Sequence, residues 1–199
     1  MEETIRYRMV MAQRRRLTRE DWIGAALSAI AEGGLAAVAV EPLATRLGTT
    51  KGSFYWHFVN REALIDAALS TWEDEHTSAV LAQVAASPEG PAQRLELLVR
   101  RVVEMAERDR IGLALLVDAG HPSVAPVLDR VTRSRLAGIA GLFRELGFDA
   151  AHARARALLA YSAYLGHAQI AHSTPALLPS GRPARRAYFE EVMRLLTAR

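Results

Sequence analysis

Residues 48–64 constrain the fold of this chain more than any other segment. Gly48 and Thr49 are typical of a tight turn, and a short helical stretch follows in which Phe54 and Phe58 are four residues apart. This spacing places both rings on one helical face, where they can pack on neighbouring helices. The polar residues between them then occupy the other face. A helix too short to be stable alone, with apolar anchors on one side and hydrogen-bond donors on the other, suits the DNA major groove.

Two further helices are predicted immediately before this segment. Thr18 can form a capping box with Asp21 at the start of the first helix. Pro42 lies in the first turn of the second helix, where an N–H donor is not needed, and Gly48 ends that helix. Short helices joined by a few residues that include a glycine indicate a helix-turn-helix, in which Thr50 is the predicted cap of the third helix.

The rest of the chain carries apolar residues at helical spacing, and its segments are separated by breaks that contain Gly or Pro. The predicted helical segments are 61–86, 91–109, 110–119, 123–146, 150–172 and 184–198. No convincing strand pattern is found. We therefore predict an all-α fold with a small N-terminal module and a larger helical bundle.

The composition limits the functions that this chain can have. The 199 residues include no cysteine, which excludes disulfides, thiol catalysis and Cys-based zinc sites and agrees with a cytoplasmic location. No histidine pair has the spacing of a helical metal site, so we expect neither a metal nor a cofactor. We find no secretory signal and no membrane-spanning run. The net charge is only +3, so local placement must support any argument for nucleic-acid binding.

The first sixteen residues form a basic segment without helical periodicity. Arg14, Arg15 and Arg16 lie directly before the predicted DNA-binding module. Two interpretations stay open, because such a segment is either a disordered tail or an arm that follows the DNA backbone. The second interpretation makes these three arginines candidate phosphate contacts.

The polar face of the third helix supplies the other candidate DNA contacts. Lys51 can reach guanine acceptors or a phosphate, and Tyr55 and His57 can donate to phosphate oxygens. Gly52 allows the backbone to approach base edges, whereas Trp56 is left open between burial and DNA contact. The candidates are Thr50, Lys51, Gly52, Ser53, Tyr55, Trp56, His57 and Arg61.

This segment resembles the tetracycline-repressor-like (TetR) family of transcriptional regulators. The resemblance rests on Gly-Thr-Thr-Lys-Gly-Ser-Phe-Tyr-Trp-His-Phe at 48–58 and Asn-Arg-Glu-Ala-Leu at 60–64, and it extends back to Thr18. It implies a helical homodimer that binds a palindromic double-stranded DNA operator and a small-molecule effector that releases the DNA. One departure is Glu41, since members often carry a polar or basic residue there that approaches phosphate, and a carboxylate would be repelled.

The resemblance also implies a division of the chain into a basic arm (1–17), a helix-turn-helix DNA-binding domain (18–64) and a ligand-binding and dimerisation domain (65–199). The helices over 150–172 and 184–198 are expected to form the dimer interface, although both can instead be internal. The candidates for the effector pocket are aromatic or polar side chains of the C-terminal domain: Trp72, His76, Met105, Asp118, His121, Tyr161, Tyr164 and His167.

Two alternative functions are weighed against a ligand-responsive repressor. The first is a DNA-binding regulator or activator without a ligand, which the sequence barely separates from a repressor. The second is an enzyme on a helical scaffold. No nucleophile elbow, phosphate loop, dinucleotide fingerprint or zinc-binding helix motif is found, so the sequence favours a regulator.

Overall fold

The computed structural model describes residues 17–198, which form helices joined by short turns. The α-helices of this part of the chain are α1 (Arg19–Gly33), α2 (Val40–Arg46), α3 (Lys51–Phe54), α4 (Arg61–Glu73), α5 (Ala79–Ala85), α6 (Pro91–Arg108), α7 (Ile111–Val117), α8 (Val124–Glu145), α9 (Ala150–Ser173) and α10 (Arg182–Thr197). Residues 17–198 contain no strand, and the predicted all-α fold is confirmed. No helix in this range is both long and apolar enough to cross a membrane.

The first helix begins and ends as predicted. The Asp21 N–H donates to the Thr18 hydroxyl, and the Thr18 N–H donates to the Asp21 carboxylate at 2.7 Å, which completes the capping box. Gly34 follows α1 with φ at +67°, in the left-handed region that only glycine adopts at little cost. These local signals fix the length of α1 and turn the chain towards α2.

The cap predicted for α3 is wrong in one respect. Thr50 has the extended backbone of an N-cap residue, but its side chain makes no capping hydrogen bond. A capping side chain would accept a hydrogen bond from the Ser53 N–H. This N–H donates instead to the Thr50 carbonyl at 3.0 Å. A single-turn helix closes on that backbone bond and leaves the Thr50 side chain exposed.

The segment predicted as one helix over 61–86 is α4 and α5, joined through a π-helical turn at Asp74–Ser78. Such turns contain an extra residue per turn and are frequent at functional sites. The turn buries Thr77, which is 2% exposed, between the two helices. Thr77 and His76 therefore face the C-terminal bundle at the point where the helix changes its winding.

Two hydrophobic cores hold the molecule together. The first joins α1–α4 to α7 and the beginning of α8 through buried side chains that include Trp22, Ile30, Phe54, Leu69, Trp72, Leu115 and Val124. The second joins α5, α6, α8, α9 and α10 through side chains that include Val80, Leu95, Phe143, Ala153 and Leu196. Since α4 contributes to the first core from Leu64 to Trp72, packing does not break at residue 64, and the boundary there stays a prediction.

Candidate nucleic-acid interface and effector cavity

The inner side of α3 is anchored by aromatic packing. Phe54 is fully buried, and its ring meets the Trp22 ring of α1 edge to face at 5.3 Å. The Phe58 ring stacks on Phe54 with centroids 5.7 Å apart. The predicted packing of these two phenylalanines against the first helix is confirmed. A helix of one turn therefore acquires its position from the core and not from its own hydrogen bonds.

The outer side of α3 is open to solvent. Trp56 is 87% exposed and Tyr55 is 56% exposed, so the structure resolves the open question about Trp56 in favour of the surface. Lys51 and Gly52 are also exposed, and Ser53 and His57 are half-buried. Exposed aromatic rings beside a lysine form a surface that another molecule can cover. Contact of these residues with DNA remains a prediction.

Lys51 is held by an acidic residue of the preceding helix. Its Nζ atom lies 2.9 Å from Oε1 of Glu41 in α2. The hydrogen bond from Lys51 lowers the pKa of Glu41, and the same bond raises the pKa of Lys51, so both groups stay charged. The sequence marked Glu41 as a departure from the family pattern but carried no signal of this contact. A phosphate that binds Lys51 lies close to this carboxylate, which competes for the ammonium group and repels the phosphate.

Arg61 is half-buried and binds backbone carbonyls of the chain, and its predicted contact with DNA stays a prediction. Its Nε atom donates to the Val38 carbonyl and its Nη2 atom donates to the Leu35 carbonyl. Two of its donors therefore close the connection between α1 and α2. Its Nη1 atom lies 3.5 Å from a carboxylate oxygen of the exposed Glu62. Arg14, Arg15 and Arg16 lie outside the described residues.

A cavity of about 540 Å³ lies in the C-terminal bundle, bounded by α5, α6, α8, α9 and α10. This volume is within the range of about 300–1,000 Å³ typical of small-molecule sites. Val and Leu are the most frequent apolar residues of its wall, which also contains arginine, glutamate, histidine and tyrosine side chains. The predicted effector residues that line it are His76, Met105, Tyr161, Tyr164 and His167.

The other three predicted effector residues do not line this cavity. Trp72 is 2% exposed in the first core and borders a much smaller neighbouring pocket. Asp118 follows α7, which packs on α1, and its carboxylate accepts a hydrogen bond from Leu35 N–H at 2.8 Å. The His121 Nδ1 atom accepts from the Ser123 N–H at 3.2 Å, so this ring caps a turn.

Sequence reasoning missed Arg135 of α8, which lines the cavity. Its Nε atom donates to the Thr77 hydroxyl at 3.0 Å, and its Nη2 atom donates to the His76 carbonyl at 3.1 Å. One signal for it exists in the sequence. Arg135 stands four residues after Val131 and four before Ile139, in the middle of an apolar stripe where a cation is unexpected.

Residues 23–68 match the bacterial regulatory proteins of the tetR family. Over 52 residues the chain is 42% identical to the class D tetracycline repressor of Escherichia coli, a match that covers 26% of this chain and 24% of that protein. The chain thus matches about a quarter of the length of this curated relative. The similarity lies in the part that carries α1–α3 and the beginning of α4.

Two solved structures resemble the fold over nearly its whole length. A transcriptional regulator from Rhodococcus sp. Rha1 superimposes with a TM-score of 0.71 at 24% identity, over 91% of this chain and 94% of that one. AibR, solved with isovaleryl coenzyme A and operator DNA, superimposes with a TM-score of 0.66 at 18% identity, over 92% of this chain and 98% of that one. At these identities the likeness establishes the fold alone.

A helix-turn-helix with an exposed polar third helix, joined to a larger helical domain, is the arrangement of helix-turn-helix transcriptional regulators. Residues 23–68 place the N-terminal part of the chain among the bacterial regulatory proteins of the tetR family.

Proposed function

We propose that this protein is a homodimeric transcriptional repressor, which binds a palindromic operator through α3 and is released by a small molecule bound in the C-terminal cavity. The observation that carries the proposal is the outer face of α3, where Lys51, Tyr55 and Trp56 are exposed on a helix whose inner face is buried. The match of residues 23–68 to the tetR family supports DNA as the partner of this face. We propose a cytoplasmic regulator that is not an enzyme.

The surface of α9 and α10 supports a second copy of the chain as a partner. Large apolar side chains are exposed on both helices, among them Leu158, Leu159, Tyr188 and Leu195, which are 57%, 58%, 41% and 55% exposed. Leu196 is the only residue of α10 that is buried among those described. A two-fold interface that buries this surface would join two α3 helices in one dimer. The distance between the two helices could then match the spacing of about 34–36 Å between successive major grooves.

Two hydrogen bonds at Leu35 connect the predicted C-terminal domain to the DNA-binding module. Asp118, after α7, holds the N–H of Leu35, and Arg61 at the start of α4 holds the carbonyl of the same residue. The connection between α1 and α2 is therefore held by a side chain from α4 and by one that follows α7. An effector that binds more tightly to a state with displaced α4 and α7 would shift α3, since only a difference in affinity moves such an equilibrium. Couplings of about 1–3 kcal/mol are typical.

Selection of bound fragments from genomic DNA with the purified protein tests the proposed function. We expect a palindromic sequence whose half-sites are separated by one helical turn or a multiple of it. A variant with Lys51→Met and Trp56→Ala serves as the control, because both side chains are exposed and their loss should leave the fold intact. Recovery of the same fragments by the control, or of no enriched sequence, would contradict DNA recognition by α3.

Glu41→Gln is expected to strengthen operator binding several-fold. The substitution removes a carboxylate that competes with phosphate for Lys51, and it also removes a negative charge near the DNA. Lys51→Met is expected to weaken binding and to flatten the dependence of log K on log salt by about one unit, as for one lost phosphate contact. Titrations by fluorescence anisotropy at several salt concentrations measure both effects.

The double variant Glu41→Gln/Lys51→Met separates competition from simple repulsion. If Glu41 acts by holding Lys51, the gain from Glu41→Gln should shrink when Lys51 is already absent. Weaker binding by Glu41→Gln alone would instead mean that Glu41 orients Lys51 for its contact.

Deletion of residues 1–13 tests the predicted basic arm. We expect the deletion to weaken operator binding modestly and to flatten its salt dependence, measured by the same titrations.

Leu159→Glu is expected to convert the dimer into a monomer. The side chain is exposed in the single chain, so a charge there should leave the fold of the protomer unchanged, whereas burial of the same charge in an interface is costly. Leu97→Glu is the matched control, because Leu97 is 42% exposed on α6, outside the proposed interface. Sedimentation velocity at micromolar concentration is the measurement. A monomeric parent protein, or a dimeric Leu159→Glu variant, would count against this interface.

A further inference from the structure

Arg135 is a cation in the cavity wall without an acidic partner. Among residues 17–198, no carboxylate oxygen lies within 4.0 Å of its guanidinium nitrogens, although most other arginines near the cavity form ion pairs. Its Nε and Nη2 atoms are used by Thr77 and the His76 carbonyl, whereas Nη1 has no hydrogen bond to another described residue. The guanidinium is therefore fixed in position and keeps one donor available at the cavity.

Two carboxylates at or beside the cavity, those of Asp109 and Glu107, are already committed elsewhere. The Oδ1 atom of Asp109 accepts from the Ile111 N–H at 2.8 Å, and its Oδ2 atom lies 2.9 Å from Nε2 of His76. Glu107 also uses both oxygens, one towards His167 at 3.3 Å and one towards Arg185 at 3.1 Å. Neutralisation of Arg135 by either side chain would break these contacts. Among the described residues, the guanidinium of Arg135 faces the rings of Trp72 and Tyr164, at 5.5 and 5.8 Å, and it also interacts with the Tyr164 hydroxyl.

Polar atoms without partners lie at the same end of the cavity. The Nδ1 atoms of His76 and His167 are buried and have no hydrogen-bond partner, and His167 is only 7% exposed. Because Nε2 of each ring faces a carboxylate, of Asp109 or Glu107, the neutral rings offer Nδ1 as a hydrogen-bond acceptor that no described residue fills. Burial raises the pKa of Tyr164, which keeps its hydroxyl protonated beside the guanidinium. This end is therefore polar, and Arg135 is a cation there that has no ion pair with another described residue.

The rest of the cavity has the opposite character. Its walls carry Val80, Leu81, Val102, Ile139 and Val192, and most of its exposed lining residues, which mark the opening, belong to α6 and α10. A ligand that fills this space needs an apolar body and one polar end. The planar guanidinium fork matches a carboxylate better than an alcohol or an amine.

We propose that the effector is an apolar carboxylic acid whose carboxylate binds Arg135 and whose body fills the space among α5, α6, α8, α9 and α10. This proposal rests on the proposed function, in which the cavity is the effector site. The Tyr164 hydroxyl, which stays protonated, is a second donor at the polar end. The anion supplies the missing counter-charge, and the π-helical turn at Asp74–Ser78 holds Arg135 in place through Thr77 and the His76 carbonyl.

Binding of matched probes to the full-length protein tests the proposal. The probes are decanoate, dodecanoate and tetradecanoate, the corresponding alcohols, and dodecanoyl coenzyme A, all below their micellar concentrations. Isothermal titration measures the affinities, and the emission of Trp72, which lies beside Arg135, reports binding independently. We expect at least one acid to bind about tenfold or more tightly than its alcohol, which corresponds to about 1.4 kcal/mol.

Substitutions separate Arg135 from general hydrophobic binding. Arg135→Met should remove the preference for the acid while affinity for the alcohol changes little, and Arg135→Lys should keep part of the preference. Arg182→Met is the matched control, since Arg182 is an exposed lining residue of α10, and it should leave the preference intact. Equal affinities for acid and alcohol in the parent protein, or no binding of any acid, would overturn the proposal even if Arg135→Met failed to fold.

The coenzyme A probe distinguishes a free acid from an acyl thioester. Tight binding of dodecanoyl coenzyme A that is lost in Arg182→Met and retained in Arg135→Met would overturn the proposal, because the contacts would then lie at the opening. Operator titrations with and without the acid are read separately. Acid binding without operator release would support this inference and contradict the ligand-responsive repressor, whereas operator binding without acid binding would do the reverse.

Discussion

Phe54→Ala is expected to lower the free energy of unfolding by about 3–5 kcal/mol, the range for loss of a fully buried phenylalanine. Phe54 is 0% exposed, and its ring contacts those of Trp22 and Phe58. Because domains are stable by only about 5–15 kcal/mol, this is a large fraction of the total. Since α3 has a single turn and depends on this anchor, operator affinity should fall together with stability. Urea unfolding followed by tryptophan emission measures the change.

Trp56→Ala is the matched control for Phe54→Ala, two residues along the same segment. Trp56 is 87% exposed, so its truncation should change stability by no more than about 0.5 kcal/mol. If Trp56 contacts DNA, operator affinity should fall while the unfolding curve stays in place. The two variants thus separate the anchor from the contact surface. A large loss of stability for Trp56→Ala, or none for Phe54→Ala, would contradict the orientation of α3.

Much of the fold could be predicted from local signals. The Thr18–Asp21 capping box, the glycine after α1 and the spacing of Phe54 and Phe58 act over a few residues, and each has its predicted effect. Asp149 likewise caps α9 through the N–H groups of Ala151 and His152. Such signals are readable because the energy of a cap or a helical face depends mainly on neighbours in sequence.

The parts that could not be predicted depend on contacts between distant residues. Asp118 reaches Leu35 across 83 positions, and Arg135 reaches Thr77 across 58. Nothing near Asp118 in the sequence distinguishes an acid that holds a backbone N–H from one that lines a cavity. The π-helical turn that presents the His76 carbonyl to Arg135 also has no sequence signal, because the periodicity of 61–86 predicts an uninterrupted helix.

Arg61 shows how a family pattern and an atomic arrangement can disagree. Its position at the start of α4, beside the recognition helix, suggested a phosphate contact. In the structure, the guanidinium instead joins the carbonyls of Leu35 and Val38, while Asn60 caps the helix through the Ala63 N–H at 2.8 Å. Arg61 and Asp118 thus hold the carbonyl and the N–H of Leu35, and this connection lies within the first core.

Arg61→Met is expected to lower the free energy of unfolding by at least about 2 kcal/mol, because hydrogen bonds to charged groups contribute about 1.5–3 kcal/mol each and two are lost. The methionine keeps much of the apolar stem but leaves the carbonyls of Leu35 and Val38 without their donors. Operator affinity should fall through displacement of α2 and α3. Its salt dependence should stay unchanged, since no phosphate contact is removed. Urea unfolding and operator titration over a range of salt concentrations measure the two properties.

Arg61→Lys sharpens the interpretation of Arg61→Met. A lysine keeps the charge but cannot reach two carbonyls with a planar fork, so we expect it to recover only a minor part of the lost stability. If Arg61 instead contacted phosphate, lysine would restore operator binding and its salt dependence, because an ammonium group binds phosphate well as a point charge. Suppose that Arg61→Met leaves stability unchanged and flattens the salt dependence, and that Arg61→Lys restores that dependence. Arg61 would then act as a DNA contact and not as a support of the connection between α1 and α2.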